Sequence, residues 1–597
     1  MINLVPGFVG RLLSLSWLTG PIFDKELRVS SRRRRNYVLR FAYVGLLTLF
    51  VVLVWLSMVR IYGSFAFKIS QMSEAGKAII ATITVFQFIA TQLLAVIMLS
   101  TSISDEIHNR TLGVLMTTPI NSFQIVMGKL LSKLLQLILL LAISLPLLAI
   151  VRIFGGVPWD YIVSSLAITL AAVLFAGSLS LYFSVKSKRA YVVILNTAFT
   201  LAGLYIFIPL IAGLLLHEHV SEDTRLSILF AVDPLAVMWL NMANMLQPGF
   251  LPGTFFFSWP LHCALMLAAS VALLARSVAI VRRAALRQAA GQPEISSVGR
   301  GRRKKTSPSA EQNDCAGAVR RVKGSPLVWK ELRAPVIQGG KNKGFIGAVA
   351  AVVALFMTYV VLIREDILHE DFTQTMYIMI FVVMGSIVTL VFSAASVTTE
   401  KETRSWPVLM ATTLDDRQIL LGKAVGIFRR VTPIWLLLAG HVLFFILVGY
   451  IHPITVVQLS MIVAWIVVFL TASGIYFSTR FKRTTTAVIS NLALALTLWL
   501  VIPVLLGLVT AITYEEELLE AYMSINPIVQ AGVVADAGAG KYNAGTPFFA
   551  LDYHWPNGET LHTTATTVIL LTTMLGYGLA GLLFAWRAKC RFRRNIF

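Results

Sequence analysis

The chain alternates long apolar runs with short polar segments, and this pattern predicts its architecture. Twelve apolar runs are long enough to cross a bilayer, for which a helix needs about 20 residues. Because lipid offers a bare backbone no hydrogen-bond partner and the alternation of a membrane β-barrel is missing, the runs predict helices. They cover residues 37–60, 78–103, 130–151, 161–184, 190–216, 259–282, 345–363, 374–397, 432–450, 454–478, 485–512 and 563–586. The sequence therefore predicts an all-α polytopic membrane protein with 12 transmembrane helices.

The polar segments that flank these runs occur twice. The segment Pro21–Arg28 returns as Pro326–Arg333, and both copies end in Lys-Glu-Leu-Arg. The pattern Glu-x3-Arg-x3-Val-Leu-Met begins at Glu106 and again at Glu400, and Gln-Ile and Gly-Lys follow both copies at one spacing. Since each half carries six runs in the same order, we expect parallel six-helix repeats, related by an axis along the membrane normal.

One long polar segment, residues 284–324, separates the two repeats. It contains a basic run at 299–305 and few apolar residues, so it predicts a flexible linker on the cytoplasmic side. The predicted domains are a first half over residues 1–283 and a second half over residues 325–597. Each half has six transmembrane helices and an N-terminal interfacial helix.

The basic residues are concentrated on one side of this topology. The chain carries 51 Lys and Arg against 29 Asp and Glu, and 44 of the 51 basic residues fall on the side of the two termini. By the positive-inside rule that side is cytoplasmic, so we expect both termini in the cytoplasm. Basic clusters beside membrane spans are attracted to anionic lipid, which makes the bilayer, and not nucleic acid, the expected partner.

Several kinds of chemistry are not supported by the sequence. Every Gly-Lys pair fails the Gly-x4-Gly-Lys-Ser/Thr pattern of a phosphate-binding loop, so we expect no ATP hydrolysis by that route. The three cysteines lie far apart, and the fragment His217–His219 has no second ligand cluster, so no disulfide or metal site is predicted. The chain is predicted to have no catalytic residues and no cofactor of its own.

The repeated Lys-Glu-Leu-Arg segments predict short helices that lie on the inner membrane surface. Proline suits the first helical position, and Ser325 before Pro326 is a candidate cap. Apolar residues four positions apart share one face, and the charged residues are assigned to the water side. The interfacial-helix residues on that side are Lys25, Glu26, Arg28, Lys330, Glu331 and Arg333.

The segment after the second span of each half predicts a polar helical hairpin. Glu106 and Arg110 stand four apart with the acid first, as do Glu400 and Arg404, and this orientation stabilises a helix. In the second half Asp415 or Asp416 would cap the helix that follows the turn. Because an exposed ion pair contributes only a few tenths of a kcal/mol, stability explains the duplication poorly, and we expect a docking surface.

These residues resemble the permease subunits of type-2 ABC exporters. The resemblance rests on Glu-x3-Arg-Thr-Leu, Thr-Pro, Gln-Ile and Gly-Lys over residues 106–129 and on the surface-helix motif, and it covers both halves. It implies two half-permeases fused in one chain, in a bacterial plasma (inner) membrane. It also implies a pair of cytoplasmic ABC ATPase subunits, which would bind the ATP and Mg.

In that family the loop after the second span docks on the ATPase. The second half departs from the pattern at Ser405–Pro407 and Thr413–Leu414, which predicts a weaker or differently selective docking surface there. The resemblance implies these ATPase-coupling residues: Glu106, Arg110, Thr111, Leu112, Thr118, Glu400, Arg404 and Thr412.

Two other functions compete with an ATP-driven exporter. An ion-coupled secondary transporter would also have twelve spans, but such carriers usually keep acids inside their spans, and here they are missing. A non-transporting membrane scaffold, or a membrane enzyme using the outer cluster of Glu365, Asp366, His369, Glu370 and Asp371, is the second alternative. The lack of charge in the spans favours an amphiphilic or apolar cargo, and the sequence does not identify it.

Overall fold

A computed structural model describes most of the chain, and it divides the chain into two compact units. The units are Met1–Gln292 with Ile502–Leu519, and Pro293–Val501 with Glu520–Phe597. The structure describes residues 16–31, 34–58, 65–108, 111–118, 120–187, 189–207, 209, 232–247, 258–289, 324–333, 341–364, 366–513, 515–540, 545–547, 549–556 and 558–593.

The first unit is built from helices in the predicted order. A surface helix and two spans are followed by two five-residue helices, which we call the first polar hairpin (residues 104–116), and then by further spans. The helices are α1 (Ser16–Ser31), α2 (Arg34–Met58), α3 (Phe65–Ser100), α4 (Ser104–His108), α5 (Leu112–Met116), α6 (Ser122–Gly155), α7 (Trp159–Lys186), α8 (Ala190–Ala202), α9 (Pro234–Leu246) and α10 (Trp259–Ala289).

The second half of the chain repeats this order, and its described residues also contain one strand pair. Its two five-residue helices form the second polar hairpin (residues 398–410). The helices are α11 (Pro326–Arg333), α12 (Lys341–Arg364), α13 (Asp371–Ala395), α14 (Thr398–Glu402), α15 (Trp406–Met410), α16 (Asp416–Val448), α17 (Ile454–Arg480), α18 (Thr484–Leu496), α19 (Ile502–Thr513), α20 (Glu517–Ser524), α21 (Pro527–Gly538) and α22 (Thr563–Arg591). The antiparallel strands are β1 (Asp552–His554) and β2 (Thr560–His562).

The all-α membrane fold is confirmed over the described residues. Nine helices there are long and apolar enough to cross a membrane, and each lies on a predicted run. The remaining three predicted runs contain shorter apolar helices, Arg40–Leu56, Ala190–Tyr205 and Ala351–Arg364. The count of twelve spans therefore stays a prediction.

One unit ends at Gln292 and the other begins at Pro293. Most of the predicted linker lies outside the described residues, and the predicted domain bounds stay a prediction. Two details of the units differ from these bounds. Helix α10 continues to Ala289, past the predicted end of the first half. Residues 502–519, which include α19, group with the first unit, where α19 packs against α2.

The fifth span contains a π-helical turn at the same place in both halves. A π-helical turn follows α8 at Gly203–Phe207 and follows α18 at Thr497–Val501. Pro503 has no N–H to donate to the Trp499 carbonyl four residues earlier, so the regular helix cannot continue through this point. The freed carbonyl accepts a hydrogen bond from Asn526 Nδ2 at 2.9 Å, and the Leu498 carbonyl accepts one from the Tyr522 hydroxyl at 2.8 Å.

Helices occupy both outer segments between the fifth and sixth spans. Asp233 caps α9 by accepting from the Leu235 N–H at 2.9 Å, and Asn526 caps α21 by accepting from the Ile528 N–H at 3.0 Å. Helices α20 and α21 meet at an angle of 76°.

We expect Asn526 to hold the bent pair of helices α20 and α21 against the π-helical turn of the fifth span. Asn526→Ala removes both the cap and the donor to the Trp499 carbonyl, so we expect a loss of about 1–3 kcal/mol of stability, seen as a lower melting temperature in detergent. Asn526→Asp keeps the cap acceptor but sets a buried carboxylate against the Trp499 carbonyl oxygen, so it should lose at least as much. Equal melting temperatures for all three proteins would contradict this account.

Candidate functional site

In the second unit one buried ammonium joins three structural elements. Lys423 lies on α16, and its Nζ is 2.7 Å from Glu331 Oε1 on α11 and 2.5 Å from Glu400 Oε1 on α14. Its side chain is 5% exposed, so these charges interact away from water. Lys423, Glu331 and Glu400 form what we call the second lysine hub, and it binds the surface helix and the second polar hairpin to the third span.

Two further cations balance the two acids of this hub. Arg430 Nη2 lies 2.8 Å from Glu331 Oε2, and Lys330 Nζ lies 3.8 Å from Glu400 Oε1, so the two carboxylates face three cations with Lys423 included. Burial by itself raises the pKa of the Glu331 carboxyl, but Lys423 and then Arg430 oppose this effect, and the net pKa lies below its usual range. Glu331 is therefore ionised at neutral pH.

Two glycines allow the surface helix to approach this closely. A Cβ at Gly422 would meet the Leu327 side chain at 2.9 Å, and a Cβ at Gly426 would meet the Glu331 carboxylate at 2.9 Å. Leu327 and Glu331 stand four apart and are the buried residues of α11. Leu327 and Glu331 therefore fit into a groove on α16, which is open because Gly422 and Gly426 have no side chain.

The first unit contains the same arrangement with looser contacts. Lys129 on α6 lies 3.0 Å from Glu106 Oε1 and 3.8 Å from Glu26 Oε1, and Lys133 lies 3.9 Å from Glu26 Oε2. Lys129, Glu26 and Glu106 form the first lysine hub. The side chains of Glu26 and Glu106 are about a quarter exposed, so this hub is more open to water than the second.

A serine on the fourth span fixes the start of each polar hairpin. Ser184 Oγ accepts the backbone N–H groups of Ile103 and Ser104 at 3.0 and 2.9 Å. Ser478 Oγ accepts those of Val397 and Thr398 at 2.8 and 2.9 Å. In both units one hydroxyl therefore satisfies N–H groups left free where the first helix of the hairpin begins.

Each polar hairpin is followed by a capped third span. The side chain of Gln124 accepts the Asn121 backbone N–H at 3.2 Å, and that of Gln418 accepts the Asp415 N–H at 3.4 Å, in capping-box arrangements. The predicted cap is therefore Asp415, and Asp416 begins the helix. The second helix of each hairpin presents one repeated apolar side chain at its tip, because Val114 is 66% exposed and Val408 is 70% exposed.

Several predicted site residues are open to solvent. Those exposed on the surface helices are Lys25, Arg28, Lys330 and Arg333, and those exposed on the hairpins are Thr111, Thr118, Arg404 and Thr412. Arg110 lies outside the described residues. The predicted docking role of this set remains a prediction.

The predicted helical ion pair of Glu400 with Arg404 is wrong, and the predicted pair of Glu106 with Arg110 lies outside the described residues. Glu400 contacts Lys423, while α14 ends at Glu402 and Arg404 adopts a left-handed conformation with φ of 56°. Glu106 contacts Lys129 and accepts a hydrogen bond from the Thr111 hydroxyl. The lysine that contacts each glutamate lies 23 residues later in the chain. The contact therefore depends on which side chains are buried together, and not on the local sequence spacing.

Four further expectations are corrected by burial and helix bounds. Leu112 is fully buried in the core of the first unit, so its side chain cannot meet a partner. Glu331 is buried, and is not on the water side of its helix. Pro21 lies inside α1, which begins at Ser16. The Ser325 hydroxyl has no hydrogen-bond partner among the described residues, although its carbonyl accepts the Trp329 N–H at 3.0 Å.

The lysines, serines and valines at these sites were missed because each is ordinary by itself. Their signal was repetition, because each occupies the same place in the two halves. The missed residues are Lys129, Lys423, Ser184, Ser478, Val114 and Val408.

A comparison with known families decides the identity of this arrangement. The family model described as "ABC-2 family transporter protein" matches residues 268–594, which is 327 of the 597 residues. The chain belongs to the ABC-2 transporter family. No curated protein matches this ABC-2 transporter. The matched region contains the second lysine hub, and the internal repeat relates the first hub to it.

Removal of the second hub lysine should strongly destabilise the transporter. Lys423→Ala leaves two buried carboxylates without their shared cation, so we expect a loss of about 3–5 kcal/mol, measured as a lower melting temperature in detergent. Lys129→Ala should lose less, because water reaches Glu26 and Glu106. Lys482→Ala, at an exposed position, is the control and should melt with the wild type. A larger loss at Lys129 than at Lys423 would contradict the assignment.

The second hub should also weaken on acidification. The pKa of Glu331 is lowered from its ordinary 4.5 in the folded state. Its contribution is therefore fully present above pH 4.5 and disappears as the pH falls through the lower folded-state value. We expect the melting temperature of the wild type to exceed that of Glu331→Gln by a constant margin above pH 4.5, and the margin to shrink below it. A margin that widens in acid would refute the predicted direction.

Proposed function

We propose that this ABC-2 transporter is the permease of an ATP-driven exporter, with two half-permeases fused in one chain. A separate pair of cytoplasmic ATPase subunits docks on the two polar hairpins. The observation that carries the proposal is the duplicated lysine hub, which ties each hairpin to a surface helix and to a membrane span. A docking surface attached in this way passes the motion of its partner into the membrane.

The short length of the hairpin helices makes this attachment necessary. A helix of five residues is unstable by itself, so its position depends on the residues that hold it. The hub holds the hairpin to the third span, and Ser184 or Ser478 holds its start to the fourth span. Movement of the tip therefore moves these two spans together, and the two halves alternate between inward-facing and outward-facing states.

The exposed tip residues support a protein partner at this surface. Val114 and Val408 occupy the same position in the two hairpins, with Thr118 and Thr412 at equivalent exposed places. Full burial of an exposed valine side chain is favourable by about 1.5–3 kcal/mol. The repetition of this valine on two otherwise charged surfaces therefore favours a matching apolar pocket on the partner.

The charge distribution supports a cytoplasmic position for the proposed partner and its nucleotide. With the basic side in the cytoplasm, both termini and both hairpins face the cytoplasm of a bacterium across its inner membrane. The ATP and Mg are bound by the ATPase subunits, and the permease binds lipid and not nucleic acid. The uncharged spans suit an amphiphilic or apolar cargo.

The two alternatives receive no specific support from the geometry. An ion-coupled carrier needs charged groups within its spans, and it does not need two equivalent surfaces outside them. A scaffold needs a surface but has no use for buried charges that connect this surface to the spans.

Substitution of the tip valines tests the docking surface. The permease is co-expressed with each ABC ATPase of its source organism in turn, and the retained ATPase is quantified after purification. Val114→Asp and Val408→Asp should each reduce retention about tenfold, because a charge replaces a buried apolar contact worth more than 1.4 kcal/mol. Val114→Ile and Val408→Ile are the matched controls and should retain the ATPase.

Two outcomes would end the proposal. One is undiminished retention of the ATPase by both aspartate variants. The other is transport by the purified permease in vesicles that contain no ATPase.

A further inference from the structure

A basic run follows the last span, and it contains one buried aromatic side chain. Residues 587–594 include five Lys and Arg and a single aromatic residue, Phe592. The basic residues are expected at this place, because they stay in water beside anionic lipid. Phe592 is not explained in this way, since it is only 2% exposed although the next residue, Arg593, is open to water. The protein itself therefore buries the ring.

We propose that Phe592 and Arg593 are positioning residues that fasten the sixth span of the second half, α22, to the second polar hairpin. We call this pair the sixth-span latch. Because of the latch, α22 follows the hairpin when the ATPase moves it. The statement about motion rests on the proposed function, whereas the fastening itself does not.

The ring of Phe592 packs against Trp406 of the hairpin. The two ring centroids are 4.9 Å apart and the rings meet at 72°, which is the edge-to-face arrangement that aromatic pairs favour. Trp406 is itself only 2% exposed. The same apolar cluster contains Leu327 of the surface helix, Val397 directly before the hairpin and Ile419 of α16. Phe592 therefore fills the point at which the surface helix, the hairpin and the third span meet.

This apolar cluster lies next to the second lysine hub. On α11, Leu327 precedes Glu331 by four residues. On α16, Ile419 precedes Lys423 by the same number. Residues four apart share one face of a helix and lie one turn, or about 5.4 Å, apart along its axis. The hub and the cluster thus hold the same three elements together, and the latch adds the sixth span to them.

An ion pair sets the direction of the latch. Arg593 Nε donates to Asp416 Oδ1 at 2.8 Å. Asp416 begins α16, where the free N–H groups of the helix favour an acid. The two side chains are 63% and 23% exposed, and an exposed ion pair contributes little to stability. The buried ring of Phe592 therefore supplies most of the attachment, and Arg593 fixes its orientation.

The last helix carries the latch directly into place. Helix α22 ends at Arg591, and the Phe592 N–H still donates to the Lys589 carbonyl at 3.2 Å. Ala588 and Phe592 stand four apart and are both buried, while Cys590 between them is exposed. The buried face of the span therefore continues into the ring, and a force on the ring reaches the span.

Packing between the hairpin and the sixth span recurs in the first half. Helix α5 of the first hairpin packs against α10, the sixth span of that half. Leu112 of α5 is buried in the same core cluster as Val281 and Ala285 of α10. Each half therefore joins its hairpin to its sixth span, and in the second half the aromatic pair makes this contact. Since the hub and Ser478 attach the second hairpin to the third and fourth spans, movement of its tip reaches three spans.

Hydrogen exchange of the full-length permease in lipid nanodiscs, without an ATPase, tests the fastening. Phe592→Ala removes the ring, so the amides of residues 398–410 should exchange about tenfold faster than in the wild type. Phe592→Leu keeps a large apolar side chain, and its exchange should fall between that of Phe592→Ala and that of the wild type. Cys590→Ala changes an exposed side chain of the same basic run, and as the matched control it should exchange like the wild type.

The first hairpin separates a latch from a general loss of stability. Exchange at residues 104–116 should not change in Phe592→Ala. Unchanged exchange at 398–410, or equal acceleration in the two hairpins, would overturn the proposal. If Phe592→Ala does not fold, Phe592→Val takes its place, and a wild-type rate at 398–410 in that variant overturns the proposal as well.

The motion of the sixth span is measured separately with the ATPase present. A spin label is attached to Cys590 after Cys263 and Cys315 have been replaced by serine, and its spectrum is recorded before and after ATP is added. The spectrum should change in the protein with Phe592 and stay constant in Phe592→Ala. An equal response in both proteins contradicts the coupled motion. Failure of the wild type to retain any ATPase would sink the proposed function while leaving the exchange result standing.

Discussion

Neutralisation of a buried ammonium is the constraint on which the rest of each half depends. Lys423 is removed from water and needs anionic partners, and it finds Glu331 on a surface helix and Glu400 on a hairpin. Separation of these charges would leave one of them buried and unpaired, which is far more costly than the loss of an exposed ion pair. Three elements that are distant in sequence are therefore obliged to keep their relative positions. The first half obeys the same constraint with Lys129, in a wetter environment that tolerates more movement.

The spans could be predicted from sequence because their cause is local. An apolar run of sufficient length must become a helix in lipid, whatever its neighbours are. The cap at Asp415 was also predictable, since a capping side chain acts within three residues of itself. The contacts of Glu106 and Glu400 were not predictable in this way. Local spacing offers an arginine four residues later, but tertiary packing brings a lysine from the next span, and only burial decides between them.

The repeat carried more information than the individual motifs. Ser184 and Ser478 have no distinctive local pattern, yet each accepts two backbone N–H groups at the same break. A residue retained at one place in two copies of a fold reports a contact common to both copies. A residue that differs between the two copies reports a contact that only one copy makes. The change from Leu112 to Trp406 suggests an altered docking surface in sequence, but Trp406 is buried against Phe592, so the change concerns internal packing and leaves the exposed Val408 in place.

The contact of Trp406 with Phe592 has a consequence for biosynthesis. Trp406 leaves the ribosome before the last four spans of its half have been made, and its ring stays uncovered until the end of the final span arrives. The equivalent core of the first half closes earlier, when its own sixth span inserts. During translation the nascent chain therefore passes through a stage with one finished hairpin and one exposed aromatic side chain. At this stage chaperones and membrane proteases would distinguish a completed molecule from an interrupted one.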